Sequence, residues 1–228
     1  MTSPRERILA SIRDGLLRAS LPAEANGVTG RRPDPTAAPT VSGMADAFAA
    51  ALTALSGHAH RASGPAGVAD AVAGIARAHQ AAAFISWDDE HMGCRGLLAA
   101  LPSYGLTRVT YDVSGDPERR AADVQALAGV GLGLTGARAA LADTGGLVLV
   151  SGPGRGRLAS VLPPVHVAVV EERRLRPSLA ALLREEPGLF VAGSNVVIVA
   201  GPSRTADIEM TLTHGVHGPK HLHVILVA

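Results

Sequence analysis

The segment GPSRTAD, residues 201–207, follows an apolar run of strand length at 196–200. Ser203 and Thr205 are residue types that cap helices, and Asp207 and Glu209 would fall in the first turns, where negative charge suits a helix N-terminus. Ser203, Arg204, Thr205 and Asp207 therefore read either as an anion site at a helix start or as plain capping. Next comes the loop His214-Gly215-Val216-His217-Gly218-Pro219, in which His217 and Gly218 stand out. His221 and His223 then alternate with Leu222 and Val224 into a final strand. Polar groups at the end of a strand are where α/β sheets usually hold ligands. The histidine spacing is too loose to specify a metal, and no metal ligands are assigned.

Three further stretches carry chemistry of their own. Asp143-Thr144-Gly145-Gly146 joins a predicted short helix to a strand. Asp143 there is either a carboxylate displayed beside backbone N–H groups, as base, nucleophile or orienter, or a helix-end residue bonding its own backbone. Gly152-Pro153-Gly154-Arg155-Gly156-Arg157 lets the backbone approach a ligand at Gly154, and its two arginines, Arg155 and Arg157, are suited to a carboxylate or phosphate; the alternative is a polar turn. Neither a phosphate-binding Walker loop nor a dinucleotide fingerprint is present in it. Pro163-Pro164 positions His166 on an apolar strand, as an acid–base group or as a satisfied core residue.

These residues need a framework, and the hydrophobic periodicity supplies one. An amphipathic helix is predicted over 3–19, then a proline-rich arm with little apolar content. The predicted boundary places an N-terminal helix and arm at 1–42 and an α/β domain at 43–228. Helices are predicted over 43–55, 64–79, 93–100, 117–128, 136–142 and 177–186, and strands over 58–62, 82–87, 107–112, 130–135, 146–150, 165–171 and 196–200. Strands alternating with helices imply a mostly parallel sheet covered on both faces.

Bulk composition narrows the function. The chain has 228 residues, 47% of them hydrophobic, which suffices for one sizeable core. No window offers the roughly 18 uninterrupted apolar residues of a membrane span, and the start lacks the apolar block of a secretory signal, so a cytoplasmic setting is expected. The net charge of +1 carries no footprint of a nucleic-acid binder. Cys94 is the only cysteine, so neither an internal disulfide nor a cluster held by four thiolates is expected. Cys94 itself reads better as a small packed residue than as a nucleophile.

The motifs ADTGGLVL, GRLASVLPPVHVAVV and GPSRTADIEMTLTHGVHGP followed by LHVILV, in this order, resemble the LUD domain, and within it the lactate utilization protein C family. The resemblance implies a three-layer α/β/α domain similar to the sugar-phosphate isomerase and CoA-transferase (NagB/RpiA/CoA transferase-like) superfamily. It implies a component of a system that oxidises L-lactate to pyruvate, with no cofactor on this chain. Iron–sulfur clusters would reside on two partners: a second LUD-domain protein with ferredoxin-type cysteines and a protein with cysteine-rich repeats. The family's site falls on Asp143, Thr144, Gly145, Arg157, His166, Ser203, Thr205, Asp207, Glu209, His217 and Gly218. Members usually carry glutamate where Asp143 stands, one methylene longer, which fits an orienting role better than a nucleophilic one. Three functions follow as expectations: a lactate-oxidising subunit binding a small carboxylate or phosphorylated ligand, a scaffold or metabolite sensor, and, by fold analogy alone, an acyl- or CoA-transferring enzyme.

Overall fold

The structure is a computed structural model that describes residues 4–18, 40–110, 116–127, 129–206, 212–214 and 218–228. The chain falls into two units, Met1–Ala38 and Pro39–Ala228. In the first, helix α1 spans Pro4–Arg18, with Glu6 in its first turn and Ile8 and Leu9 exposed.

The second unit is built on Val- and Leu-rich runs that pair edge to edge. Its helices are α2 (Val41–Ala54), α3 (Gly64–Ala78), α4 (Leu97–Ala100), α5 (Pro117–Ala126) and α6 (Leu179–Glu185). Its strands are β1 (His58–Ala62), β2 (Ala83–Ser86), β3 (Thr107–Arg108), β4 (Leu132–Thr135), β5 (Ala139–Leu141) and β6 (Gly146–Ser151). They continue with β7 (Val165–Glu171), β8 (Leu175–Arg176), β9 (Asn195–Val199), β10 (Arg204–Ala206), β11 (Leu212–His214) and β12 (His221–Val227).

Six strands form one wholly parallel sheet in the order β1-β12-β7-β4-β2-β3. Val165 to Val170 of β7 and Leu222 to Val227 of β12 are buried without alternation, as expected of strands covered on both faces. α3 packs on β1 and β12, and α2 on β1. Each helix turns one apolar stripe inward: Ala45, Phe48 and Leu52 from α2, and Val68, Val72, Ile75 and Ala76 from α3. The Thr40 hydroxyl starts α2 by accepting the Gly43 N–H at 3.1 Å.

A second, mixed sheet, β8-β5-β6-β9, was not read from the sequence. Leu147 and Leu149 of β6 join the main core, while Val148 and Val150 face a smaller one with Leu182 and Leu189. This period of two buries both faces of β6, so its sequence is one unbroken apolar run.

Four local expectations need correction. The helix predicted over 136–142 is instead the strand β5: its alanines favour a helix, but pairing with β6 and β8 outweighs that weak preference. Asp143 and Thr144 therefore sit in a turn between two strands. The helix over 93–100 shrinks to Leu97–Ala100, because Gly96 has φ +79° and a Cβ on Gly93 would lie 2.2 Å from the Val169 carbonyl oxygen. The strand predicted over 107–112 is Thr107–Arg108, and residues 111–115 lie outside the described residues. Finally, no helix begins at Ser203: Arg204–Ala206 pairs antiparallel with Leu212–His214, so the capping and helix-dipole arguments for Ser203, Arg204 and Thr205 lose their basis.

Candidate functional site

In the parallel sheet the chain leaves β2 towards β3 on one side and β4 towards β7 on the other. The connections part there, and a crevice opens outside the carboxyl ends of β2 and β4. Into it comes a glycine turn from the second sheet. Ser151 ends β6, and Gly152 and Arg155 close the turn, with the Arg155 N–H donating to the Gly152 carbonyl at 2.9 Å. The segment after β2 clamps it: the Asp88 N–H donates to the Gly154 carbonyl at 2.8 Å, and the buried Trp87 Nε1–H donates to the Gly156 carbonyl at 3.1 Å. Gly154 has φ +68°, a backbone conformation that favours glycine, and a Cβ there would lie 2.8 Å from Asp88 Oδ2 and press on that side chain. The N–H groups of Gly154 and Gly156 donate no hydrogen bond among the described residues.

The turn separates two clefts. The larger, of about 320 Å³, is lined by Ser86, Asp88, Arg108, Val109, Thr110 and the three glycines 152, 154 and 156. Arg108 and Asp88 pair across it at 3.1 Å, and the buried Ser86 hydroxyl has no partner among the described residues. The smaller, of about 100 Å³, is walled by Trp87, Ala137 and Val150 and carries Arg138, Arg155, Arg174 and His91. These groups can bind an anion through guanidinium and backbone N–H donors.

Of the residues singled out from the sequence, Gly154 lies in the larger cleft. Arg157, exposed at the start of a 3₁₀ turn, lines neither cleft. Asp143 and Thr144 are exposed in the β5–β6 turn, also away from both, and the Asp143 N–H is tied to the Pro177 carbonyl at 3.2 Å. Gly145 closes that turn with φ +65°, packed so tightly that a Cβ would lie 2.4 Å from the Leu52 backbone nitrogen. His166 is buried in β7, where its Nε2 meets the Thr135 hydroxyl at 2.8 Å; burial lowers its pKa to about 4. Ser203 and Gly218 are brought together, the Ser203 N–H donating to the Pro219 carbonyl at 2.9 Å, so the β10–β11 excursion returns to its own base. Arg204 and Thr205 are described here by backbone pairing alone, while Asp207 and His217 lie outside the described residues. Trp87, Asp88, Arg108, Arg138 and Arg174 were not anticipated as site residues. The one available signal was the chain's single tryptophan, followed by Asp88-Asp89, just after an apolar run.

The family model of the LUD domain matches residues 45–227. The chain belongs to the LUD domain family. It is similar to the lactate utilization protein C of Halalkalibacterium halodurans, 39% identical over 42% of this chain and 44% of that protein. The protein of the same name from a Geobacillus species is 34% identical over 65% of this chain and 64% of its own length. The matches thus span about half to two thirds of these relatives. A crystal structure of a DUF162 family protein from Deinococcus radiodurans shares the fold, with a TM-score of 0.55 and 19% identity over 83% of this chain and 99% of that one.

The amino edge of this LUD domain gathers histidines. His58 and His60 of β1, His79 at the end of α3, and His221 and His223 of β12 meet there. His223 bridges two of them, with Nδ1 3.0 Å from His60 Nε2 and Nε2 3.1 Å from His79 Nε2. Burial, then the neighbouring His58, His60, His79 and His221, lowers its pKa to about 3, and burial followed by His58 lowers that of His60. His223 has both ring nitrogens on its neighbours, and among the described residues no group of three or more His, Cys, Asp or Glu side chains is arranged to hold a metal ion. Among the same residues, no helix is long and apolar enough to cross a membrane.

Proposed function

We propose that this chain is the component of an L-lactate utilization system that holds a small carboxylate or phosphorylated ligand at the glycine turn. The observation carrying this reading is the turn itself: a clamped backbone at the parting of the strands, with two N–H groups unused among the described residues and a cleft on each side. Membership of the LUD domain family and similarity to proteins named lactate utilization protein C supply the pathway.

Oxidising L-lactate to pyruvate removes two electrons and two protons. With Cys94 as its one thiol, this sequence offers no four-thiolate set, so the electrons would pass to iron–sulfur clusters on partners. Those partners are a LUD-domain iron–sulfur protein and a protein of cysteine-rich repeats, working with this chain in the cytoplasm. Residues 1–42 would form the arm that docks them.

A second reading, a scaffold or metabolite sensor without chemistry of its own, is favoured by one observation: Asp143 and His166, the described residues expected to be catalytic, line neither cleft. Lactate oxidation with an artificial electron acceptor tests both, run with this chain alone, with the partners alone, and with all three. Turnover only in the full mixture supports the subunit, and equal turnover with and without this chain overturns it. Turnover by the chain alone would place the redox chemistry here and overturn the division of labour.

A further inference from the structure

We infer that the smaller cleft is a monocarboxylate subsite in which Arg155 clamps the acid. The inference rests on the reading of the glycine turn as a ligand site, and it names both the group that binds and the class of ligand.

Charge pairing singles out Arg155. Arg138 is paired with Glu186 at 2.7 Å, Arg174 with Glu171 at 3.0 Å, and His91 lies 3.3 Å from Glu90. Arg155 has no ion pair among the described residues, and its Nε is buried with no acceptor. A guanidinium N–H shut away from solvent without an acceptor is costly, and a bound anion removes that cost. Arg155 is thus the one guanidinium of this cleft without an ion pair among the described residues, and a single carboxylate would supply its partner. A planar carboxylate takes two parallel N–H bonds from a guanidinium, a geometry specific to arginine. Trp87, Ala137 and Val150 offer apolar wall to the acid's carbon chain, and a space of about 100 Å³ suits a short-chain acid and excludes a nucleotide. Arg155 is held in place because its own backbone closes the turn on Gly152.

Trp87 is both a wall of this cleft and the only tryptophan in the chain, so its fluorescence reports on the site without a label. We would titrate the full-length protein with L-lactate, pyruvate, acetate and inorganic phosphate at constant ionic strength. The expected result is a saturable change with the three carboxylates that phosphate does not reproduce. Arg155→Gln should weaken carboxylate binding roughly 10- to 100-fold, the range for a charged hydrogen bond. Arg155→Lys, which keeps the charge but loses the fork, should recover only part of it. Arg61→Gln, on an exposed ion pair, should bind as the parent does, and circular dichroism checks that each variant is folded.

Saturation by phosphate but not by carboxylates would overturn the monocarboxylate assignment and leave the glycine turn standing as a ligand site. Carboxylate binding unchanged in Arg155→Gln but lost in Gly154→Val would move the acid to the larger cleft and overturn the clamp. No saturation by any of the four would also overturn it. The three-protein lactate assay separates the two claims: turnover that needs this chain but tolerates Arg155→Gln overturns the subsite alone, and turnover indifferent to this chain overturns the pathway reading beneath it.

Discussion

At the carboxyl edge of the parallel sheet, a guanidinium nitrogen and two turn N–H groups have no partner among the described residues. At the amino edge, five imidazoles partner one another. Both edges are polar, and each is built from residues that bind ligands and metals elsewhere. They differ in what is left over. The carboxyl edge keeps unused hydrogen-bonding capacity beside open space, whereas at the amino edge His223 has both nitrogens on neighbouring rings and the unpartnered Nδ1 of His166 is buried in the core. Unmet capacity marks a site better than polarity does.

The strongest way to break the comparison is to fill the packing that forms the carboxyl edge. A Cβ on Gly136 would lie 2.1 Å from the His91 carbonyl oxygen, and backbone cannot move aside as a side chain can. Gly136→Ala should lower the unfolding free energy by roughly 3 kcal/mol, read from urea melts, and should take ligand binding with it.

Next is acid. Imidazoles in the unfolded chain take up a proton below about pH 6.5, while the folded His166 and His223 stay neutral down to about 4 and 3. The unfolded state binds more protons across this window, so stability falls as the pH drops from 6.5 towards 4 and levels off below the folded values. For the fully buried His166 the loss between pH 7 and pH 5 should be about 2 kcal/mol. Urea melts at the two pH values measure it, and His166→Gln should flatten the profile. An unchanged profile would mean that the amino half of the sheet does not hold its histidines neutral.

A smaller effect sharpens the role of the clamp. Trp87→Phe removes the bond to the Gly156 carbonyl and should cost about 1 kcal/mol in stability, with weaker carboxylate binding in calorimetric titration. Smallest is Asp46→Ala, which opens the exposed Arg61 pair away from either edge. It should change stability by less than about 0.5 kcal/mol and leave both edges as they were.

Much of the parallel sheet was legible in the sequence: a buried parallel strand such as β7 is one apolar run, and the edge strand β1 was found from the alternation of strands with helices. His58–Ala62 and Val165–Glu171 were read with the bounds the structure gives them. The second sheet was not, because β5 is three apolar residues in an alanine-rich stretch whose local preference is helical, and only its neighbours decide otherwise. β10 was misread for a similar reason: Ser203 and Thr205 suit a cap, but Arg204–Ala206 pairs with Leu212–His214, which the capping pattern does not reveal. In the site, Gly154 was legible because glycine density marks a turn. Arg155 and Arg157 were legible together as anion holders, but only the fold determines which arginine of a Gly-Arg-Gly-Arg run lines the cleft. Trp87 and Asp88 went unread because their task is to grip a turn more than sixty residues further along the chain.

His223 has one further consequence. A neutral imidazole carries one proton for two nitrogens, and both nitrogens of His223 face another ring. If it gives its proton to the bond with His60, then His79 must supply the proton for the other bond; if it gives it to His79, then His60 must. The three rings thus form a short file with two allowed orderings, and no ring can switch tautomer alone. Which nitrogen is protonated on the edge strand β1 is then fixed by which is protonated at the far end of α3, a correlation that nitrogen chemical shifts of the three rings would register as a single shared state.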